Sequence, residues 1–186
     1  MIPGQHLRAG AFGVAALLLA ACSREPGDFA VEISGPAEGT IRGGAIYCVS
    51  PDGGDFVALL RDPDSGTGME LRRETPGLPP PGSYGIASSL GERTPGSFAF
   101  TPRLDDLEGA GDYAYRVRGG RVRIVSADSS WLEGRLEVEM VGTDASPEVD
   151  SAAGMVRALP PVTATLRGRF AAARVASCSG LGAAGP

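Results

Sequence analysis

Leu132-Glu133-Gly134-Arg135-Leu136-Glu137-Val138-Glu139-Met140 reads as an amphipathic strand. Leu132, Leu136, Val138 and Met140 fall on one side of an extended chain, and Glu133, Arg135, Glu137 and Glu139 on the other. That period of two marks a half-buried β-strand. Val162 to Ala172 alternates in the same way, with Val162, Ala164, Leu166 and Phe170 inward and Thr163, Thr165, Arg167 and Arg169 outward. Leu132-Glu133-Gly134-Arg135-Leu136 and Leu166-Arg167-Gly168-Arg169-Phe170 echo each other. Each puts a glycine on the inward face, where a curved sheet bends or two backbones come close.

Upstream, Tyr113 to Val117 and Val122 to Val125 flank Arg118-Gly119-Gly120-Arg121. A Gly-Gly pair between alternating runs predicts a hairpin with a two-residue turn, because both central residues of a type I′ turn need positive φ. In that register Arg118 faces Arg121, Val117 faces Val122 and Arg116 faces Arg123. Tyr113, Tyr115, Val117, Val122 and Ile124 then share the buried face, and the four arginines share the other.

Shorter alternating runs precede these: Phe29 to Ile33, Thr40 to Val49, Phe56 to Arg61, Met69 to Arg72, Ser83 to Ser88 and Ser97 to Thr101. A bulge or sharp bend is expected at Gly43-Gly44. Gly77 to Gly82, with three consecutive prolines, cannot join a sheet interior. Only Ala152 to Leu159 has room for a helical turn or two before Pro160. The expectation is an all-β domain over residues 29–178, an antiparallel β-sandwich or partly open β-barrel of about nine to ten short strands. The 28 glycines and 15 prolines fit many strands joined by tight turns.

What is missing narrows the chemistry. The chain has no lysine and no asparagine, and its one histidine is His6. Past that residue a Ser-His-Asp or Cys-His nucleophile system has no imidazole to use. Histidine-bound metals and lysine Schiff bases are excluded with it, and asparagine-linked glycosylation has no acceptor. The net charge of −5 argues against a general binder of nucleic acid.

The N-terminus carries the sharpest motif. Arg8 precedes an apolar run, Ala9 to Ala21, which ends in Leu19-Ala20-Ala21-Cys22. The run is too short for a membrane span, which needs about 20 apolar residues, and has the order of a secretory signal. Leu-Ala-Ala-Cys resembles the lipobox of bacterial lipoproteins. The resemblance implies a signal peptide over 1–21, cleavage before Cys22, and acylation of the Cys22 sulfur and amino group. Residues 22–28 would then be a tether and 179–186 a flexible tail. The class implies a lipid-anchored place in the cell envelope. In a Gram-negative cell, Ser23 after the lipidated cysteine directs transfer to the outer membrane, facing the periplasm or the cell surface. With Cys22 assigned to lipid, Cys48 and Cys178 remain in an oxidising compartment, either as a disulfide or as two free thiols; the disulfide is the expectation.

Several clusters compete as sites. The arginine face of Arg116, Arg118, Arg121 and Arg123 suits phospholipid, lipid A phosphate or an acidic glycan, since guanidinium groups bind oxoanions bidentately. The plainer reading is a solvated charge ladder with Glu133, Glu137 and Glu139. Asp105, Asp106, Glu108 and Asp112, or Asp62 and Asp64, have the oxygen ligands calcium prefers, but read better as solubilised turns. Trp131, Tyr84, Phe98 and Phe100 suit a ligand cavity or, with so few aromatics, the core itself. These readings converge on a non-enzymatic, membrane-tethered lipoprotein without a cofactor or bound metal. Its partner would be an anionic lipid, a glycan or an envelope protein. The alternative is a lipocalin-like carrier of a small apolar ligand inside a closed barrel.

Overall fold

Alternation lays down eleven strands among the described residues: β1 (Gly27–Ser34), β2 (Gly39–Val49), β3 (Phe56–Arg61), β4 (Gly68–Arg73), β5 (Gly82–Ile86), β6 (Ala99–Arg103), β7 (Tyr113–Ala127), β8 (Trp131–Asp144), β9 (Glu148–Asp150), β10 (Met155–Arg157) and β11 (Val162–Arg174). The computed structural model describes residues 27–50, 54–88, 94–104, 107, 110–146, 148–150 and 155–178, and no helix occurs among them. The signal peptide expected over 1–21, Cys22 and residues 179–186 lie outside the described residues.

Nine strands form one sheet in the order β5-β7-β8-β11-β1-β2-β3-β4-β6, each neighbour antiparallel to the next. The two edges meet at a single parallel bridge between Ile86 and Phe98. There the Ala87 N–H donates to the Phe98 carbonyl at 2.8 Å and the Phe98 N–H to the Gly85 carbonyl at 2.9 Å. The sheet is therefore a nearly closed, barrel-like antiparallel structure, as the alternation predicted. Its inward side chains form one contiguous buried cluster, from Phe29, Val31 and Ile33 of β1 round to Phe98 and Phe100. Tyr84 packs edge-on against Phe98, with ring centroids 5.5 Å apart, while Trp131 stays half-exposed at the start of β8.

Four expectations need correction. First, Arg118-Gly119-Gly120-Arg121 is not a turn: β7 runs unbroken from Tyr113 to Ala127 and pairs along its length with β8. The phase change that suggested a hairpin comes instead from a bulge, with register shifts between Val117 and Gly119 and again between Ile124 and Ser126. A bulge and a two-residue hairpin both reverse the parity of alternation, so the apolar pattern is the same for either. The inward set of Val117, Val122 and Ile124 and the exposed set of Arg116, Arg118, Arg121 and Arg123 are unaffected. Second, Met155–Arg157 is a strand paired with Glu148–Asp150, where a helical turn was expected. Third, of the bulge or sharp bend expected at Gly43-Gly44, the bulge is absent: the pairing of β2 passes through without a register shift, from β1 on one side to β3 on the other. Fourth, the expected tether is too long, because Gly27 and Asp28 already pair in β1.

The two glycines of the echoed motif shape the curl. A Cβ at Gly168 would lie 2.3 Å from the Ala30 carbonyl oxygen and 2.6 Å from the Val31 Cα, so β11 and β1 close on each other there. Gly134 lies opposite Phe170 in the register, and a Cβ there would lie 2.3 Å from the ring's Cζ. The glycine leaves the space that the aromatic ring fills. At the far end of β1, β11 and β2 converge, pairing directly and in parallel at Ala173–Ile46 and Arg174–Tyr47. Cys48 and Cys178 are joined as a disulfide beside this junction, with Cα atoms 5.5 Å apart.

Three stability measurements check this account. Gly168→Ala should cost about 1–3 kcal/mol, as overpacking does, because the obstacle is backbone. Gly134→Ala should be partly rescued by Phe170→Leu, and denaturant unfolding reads both. The disulfide spans 130 residues, so Cys48→Ser with Cys178→Ser should lower stability by about 4–5 kcal/mol in the chain-entropy model; an unchanged midpoint would exclude that contribution.

Candidate functional site

The outer face of β7, β8, β11 and β1 carries many charged side chains, and pairing sorts them into rows. Arg121 lies opposite Glu137, Glu137 opposite Arg167, and Arg167 opposite Glu32, an alternating row. Arg167 takes the Glu137 carboxylate, Nη2 to Oε1 at 2.7 Å. One step along, the bulge sets both Arg118 and Gly119 against Glu139, and Arg118 Nη1 reaches Glu139 Oε1 at 3.0 Å. Both pairs are largely solvated, so each contributes at most about 1 kcal/mol. This much is the expected ladder.

The next row breaks it. Arg123 lies opposite Arg135, and Arg135 opposite Arg169. Arg169 in turn faces Ala30, whose other neighbour is Arg42. Arg123, Arg135, Arg169 and Arg42 are exposed, and none has an ion-pair partner among the described residues. Adjacent strands lie about 4.8 Å apart, so Arg123, Arg135 and Arg169 line up over roughly 10 Å. Like charges directly opposite each other are unfavourable by a few tenths of a kcal/mol or more per pair. Glu133, expected to compensate the arginines, faces Ser126 instead.

Each bulge of β7 opens a notch in this face. The first removes side chains at Gly119 and Gly120 and leaves a depression of about 580 Å³ between Arg118 and Arg121. The second pushes Val125 outward to 49% exposure, beside a depression of about 390 Å³. That depression is lined by Gly134 and Phe170, by the arginines Arg135 and Arg169, and by the carboxylates Asp28 and Glu133.

The other candidates do not assemble. Among the described residues no group of three or more histidine, cysteine or acidic side chains could hold a metal ion. Asp105, Asp106 and Glu108 lie outside the described residues, and Asp112 is exposed. Asp62 closes its own turn: Oδ1 accepts from the Asp64 N–H at 2.9 Å and Oδ2 from the Ser65 hydroxyl at 3.0 Å. The Asp64 N–H, followed by the Ser65 hydroxyl, holds the Asp62 carboxyl below the usual aspartate range. The Tyr115 hydroxyl is buried without a hydrogen-bond partner among the described residues, and burial pushes its pKa upward.

Of the four arginines singled out by sequence, Arg118 is in an ion pair, Arg121 lies beside one, Arg116 faces Val141 and Arg123 belongs to the arginine row. Arg135, Arg169 and Arg42 complete that row, and sequence reasoning missed them, having placed Arg135 and Arg169 on the outer side without their cross-strand partners. Compared with protein-family models, curated proteins and solved structures, the chain matches none of them.

Relieving the row tests its electrostatics. Arg135→Gln should stabilise the protein by a few tenths of a kcal/mol at low salt. The gain should vanish near 1 M salt, where screening acts within about 3 Å. A gain that survives high salt would mean the repulsion is not there.

Proposed function

We propose that this protein is a lipid-anchored, extracytoplasmic binding domain that holds an anionic component of the cell envelope on its arginine face, without catalysing a reaction. The observation that carries the reading is the Arg123–Arg135–Arg169 row, three exposed guanidinium groups with no carboxylate partner among the described residues. A fold tolerates adjacent like charges at a cost, and an oxoanion held between them removes it, because guanidinium binds phosphate and carboxylate in paired hydrogen bonds.

The N-terminal motif supports the setting. Cys22 precedes Gly27 by five residues, a reach of at most about 18 Å for extended chain. Arg169 faces Ala30, three residues further along β1, about 10 Å beyond. A lipid on Cys22 would therefore hold the row within reach of headgroups. A carrier of an apolar ligand would need an internal void of several hundred Å³. The inward side chains instead pack as one buried cluster, which favours the surface over the interior.

The test is flotation of the folded protein with vesicles containing anionic phospholipid. Arg123→Glu, Arg135→Glu and Arg169→Glu together should abolish salt-sensitive binding, and binding unchanged in that folded variant would reject the site. Mass spectrometry of the mature N-terminus should find diacylglyceryl Cys22; an intact Met1 would reject the anchor.

A further inference from the structure

The second notch holds more than cations. Along β8, Glu133 and Arg135 both point outward two residues apart, so their rows lie about 7 Å from each other. In the acidic row Glu133 faces Ala171, and Ala171 faces Asp28; in the basic row Arg135 faces Arg169. Opposite charges at this spacing commonly close on each other. Here they do not: Asp28, Glu133, Arg135 and Arg169 have no ion pair among the described residues, and the depression of about 390 Å³ lies between them. Val125, forced outward by the bulge, adds an apolar wall, and Gly134 with the Phe170 ring lies beneath.

A site with cations on one side, carboxylates on the other and apolar surface between them complements a short dipolar ion. We propose that this notch binds a zwitterion whose oxoanion and ammonium are joined by two methylenes, the chemistry of phosphoethanolamine. Arg135 and Arg169 take the oxoanion, Glu133 and Asp28 take the ammonium, and the methylenes lie against Val125. A plain anion gains nothing from Glu133 and Asp28 and is repelled by them. The inference deepens the reading of the arginine face and rests on it, since Arg135 and Arg169 serve both.

Calorimetric titration of the folded protein with O-phosphoethanolamine, inorganic phosphate and ethylamine tests it. O-phosphoethanolamine should bind about tenfold more tightly than phosphate, the gain expected of two partly exposed ion pairs, and ethylamine weakest of all. Asp28→Asn with Glu133→Gln should remove that preference and leave phosphate binding equal or stronger. Arg135→Gln with Arg169→Gln should weaken both phosphate compounds. Flotation with phosphatidylethanolamine vesicles identifies the source: binding tighter than to the soluble compound assigns a lipid headgroup, and equal binding a free or glycan-borne group. Equal affinity for phosphate and O-phosphoethanolamine, or a preference that survives the Asp28 and Glu133 changes, overturns the zwitterion and leaves the arginine face intact. Loss of binding to anionic vesicles in the arginine variants without any response to O-phosphoethanolamine does the same. No binding of any anion removes both readings.

Discussion

β7 has to satisfy two alternations that are out of step. Tyr113, Tyr115 and Val117 are odd-numbered and Val122 and Ile124 even-numbered, yet all must lie on the side of the strand that faces the core. A strand of strict period two would bury Arg121 and Arg123, and a buried unpaired guanidinium costs several kcal/mol. One extra residue opposite Glu139 resets the phase. The surplus falls at Arg118-Gly119-Gly120, where two residues without side chains make the distortion cheap. Gly120, at φ 154°, takes a conformation that side chains rarely adopt, with the Glu137 carbonyl only 2.3 Å from where a Cβ would lie. The exposure of Arg121 and Arg123 and the first notch follow from this accommodation, and a second bulge at Val125 opens the other notch.

The same economy operates where the sheet curls. A nine-stranded sheet that nearly meets itself at one bridge must coil strongly, and strongly coiled strands crowd their inward positions. Gly168 yields to backbone and Gly134 to an aromatic ring, two solutions to one steric problem on neighbouring strands. β1 is held between β11 and β2, and beyond Gly27 those two strands pair with each other. The disulfide lies at the same junction, tying β2 to the segment after β11. Tyr47 adds a link across it, its hydroxyl donating to the Asp128 carbonyl at 2.7 Å. The start of β1 therefore lies beside a corner tied by direct strand pairing and a disulfide.

These features differ in how far a single sequence reveals them. Strand identity and facing were legible, because Leu136, Val138, Met140, Leu166 and Phe170 sit in long, clean alternations that only a half-buried strand explains. The inward glycines were legible for the same reason. The hairpin was not, since Gly119-Gly120 satisfies a type I′ turn and a glycine-rich bulge equally and the apolar pattern is blind to which is used. The arginine row was beyond reach for a different reason. Arg123, Arg135 and Arg169 lie on three strands, and their alignment depends on two registers. One of those registers is set by the bulge that the sequence concealed. Counting residues back from a turn that does not exist paired Arg116 with Arg123, and so hid Arg135.

Register also separates the two halves of the outer face chemically. Where arginine meets glutamate across strands, as at Arg118–Glu139 and Arg167–Glu137, the charges satisfy each other and a ligand would have to compete with a partner already in place. One row away the arginines have no ion-pair partner among the described residues. The boundary between satisfied and available charge follows a single residue on β8, since position 137 is glutamate and position 135 arginine. A glutamate at 135 would extend the ladder across Arg123 and Arg169 and leave the face self-neutralised. Stability alone favours that glutamate, because it replaces two repulsive cross-strand contacts with two attractive ones. The arginine at this position thus works against the fold's own electrostatics, and a ligand for the row is the compensation that the proposed reading supplies.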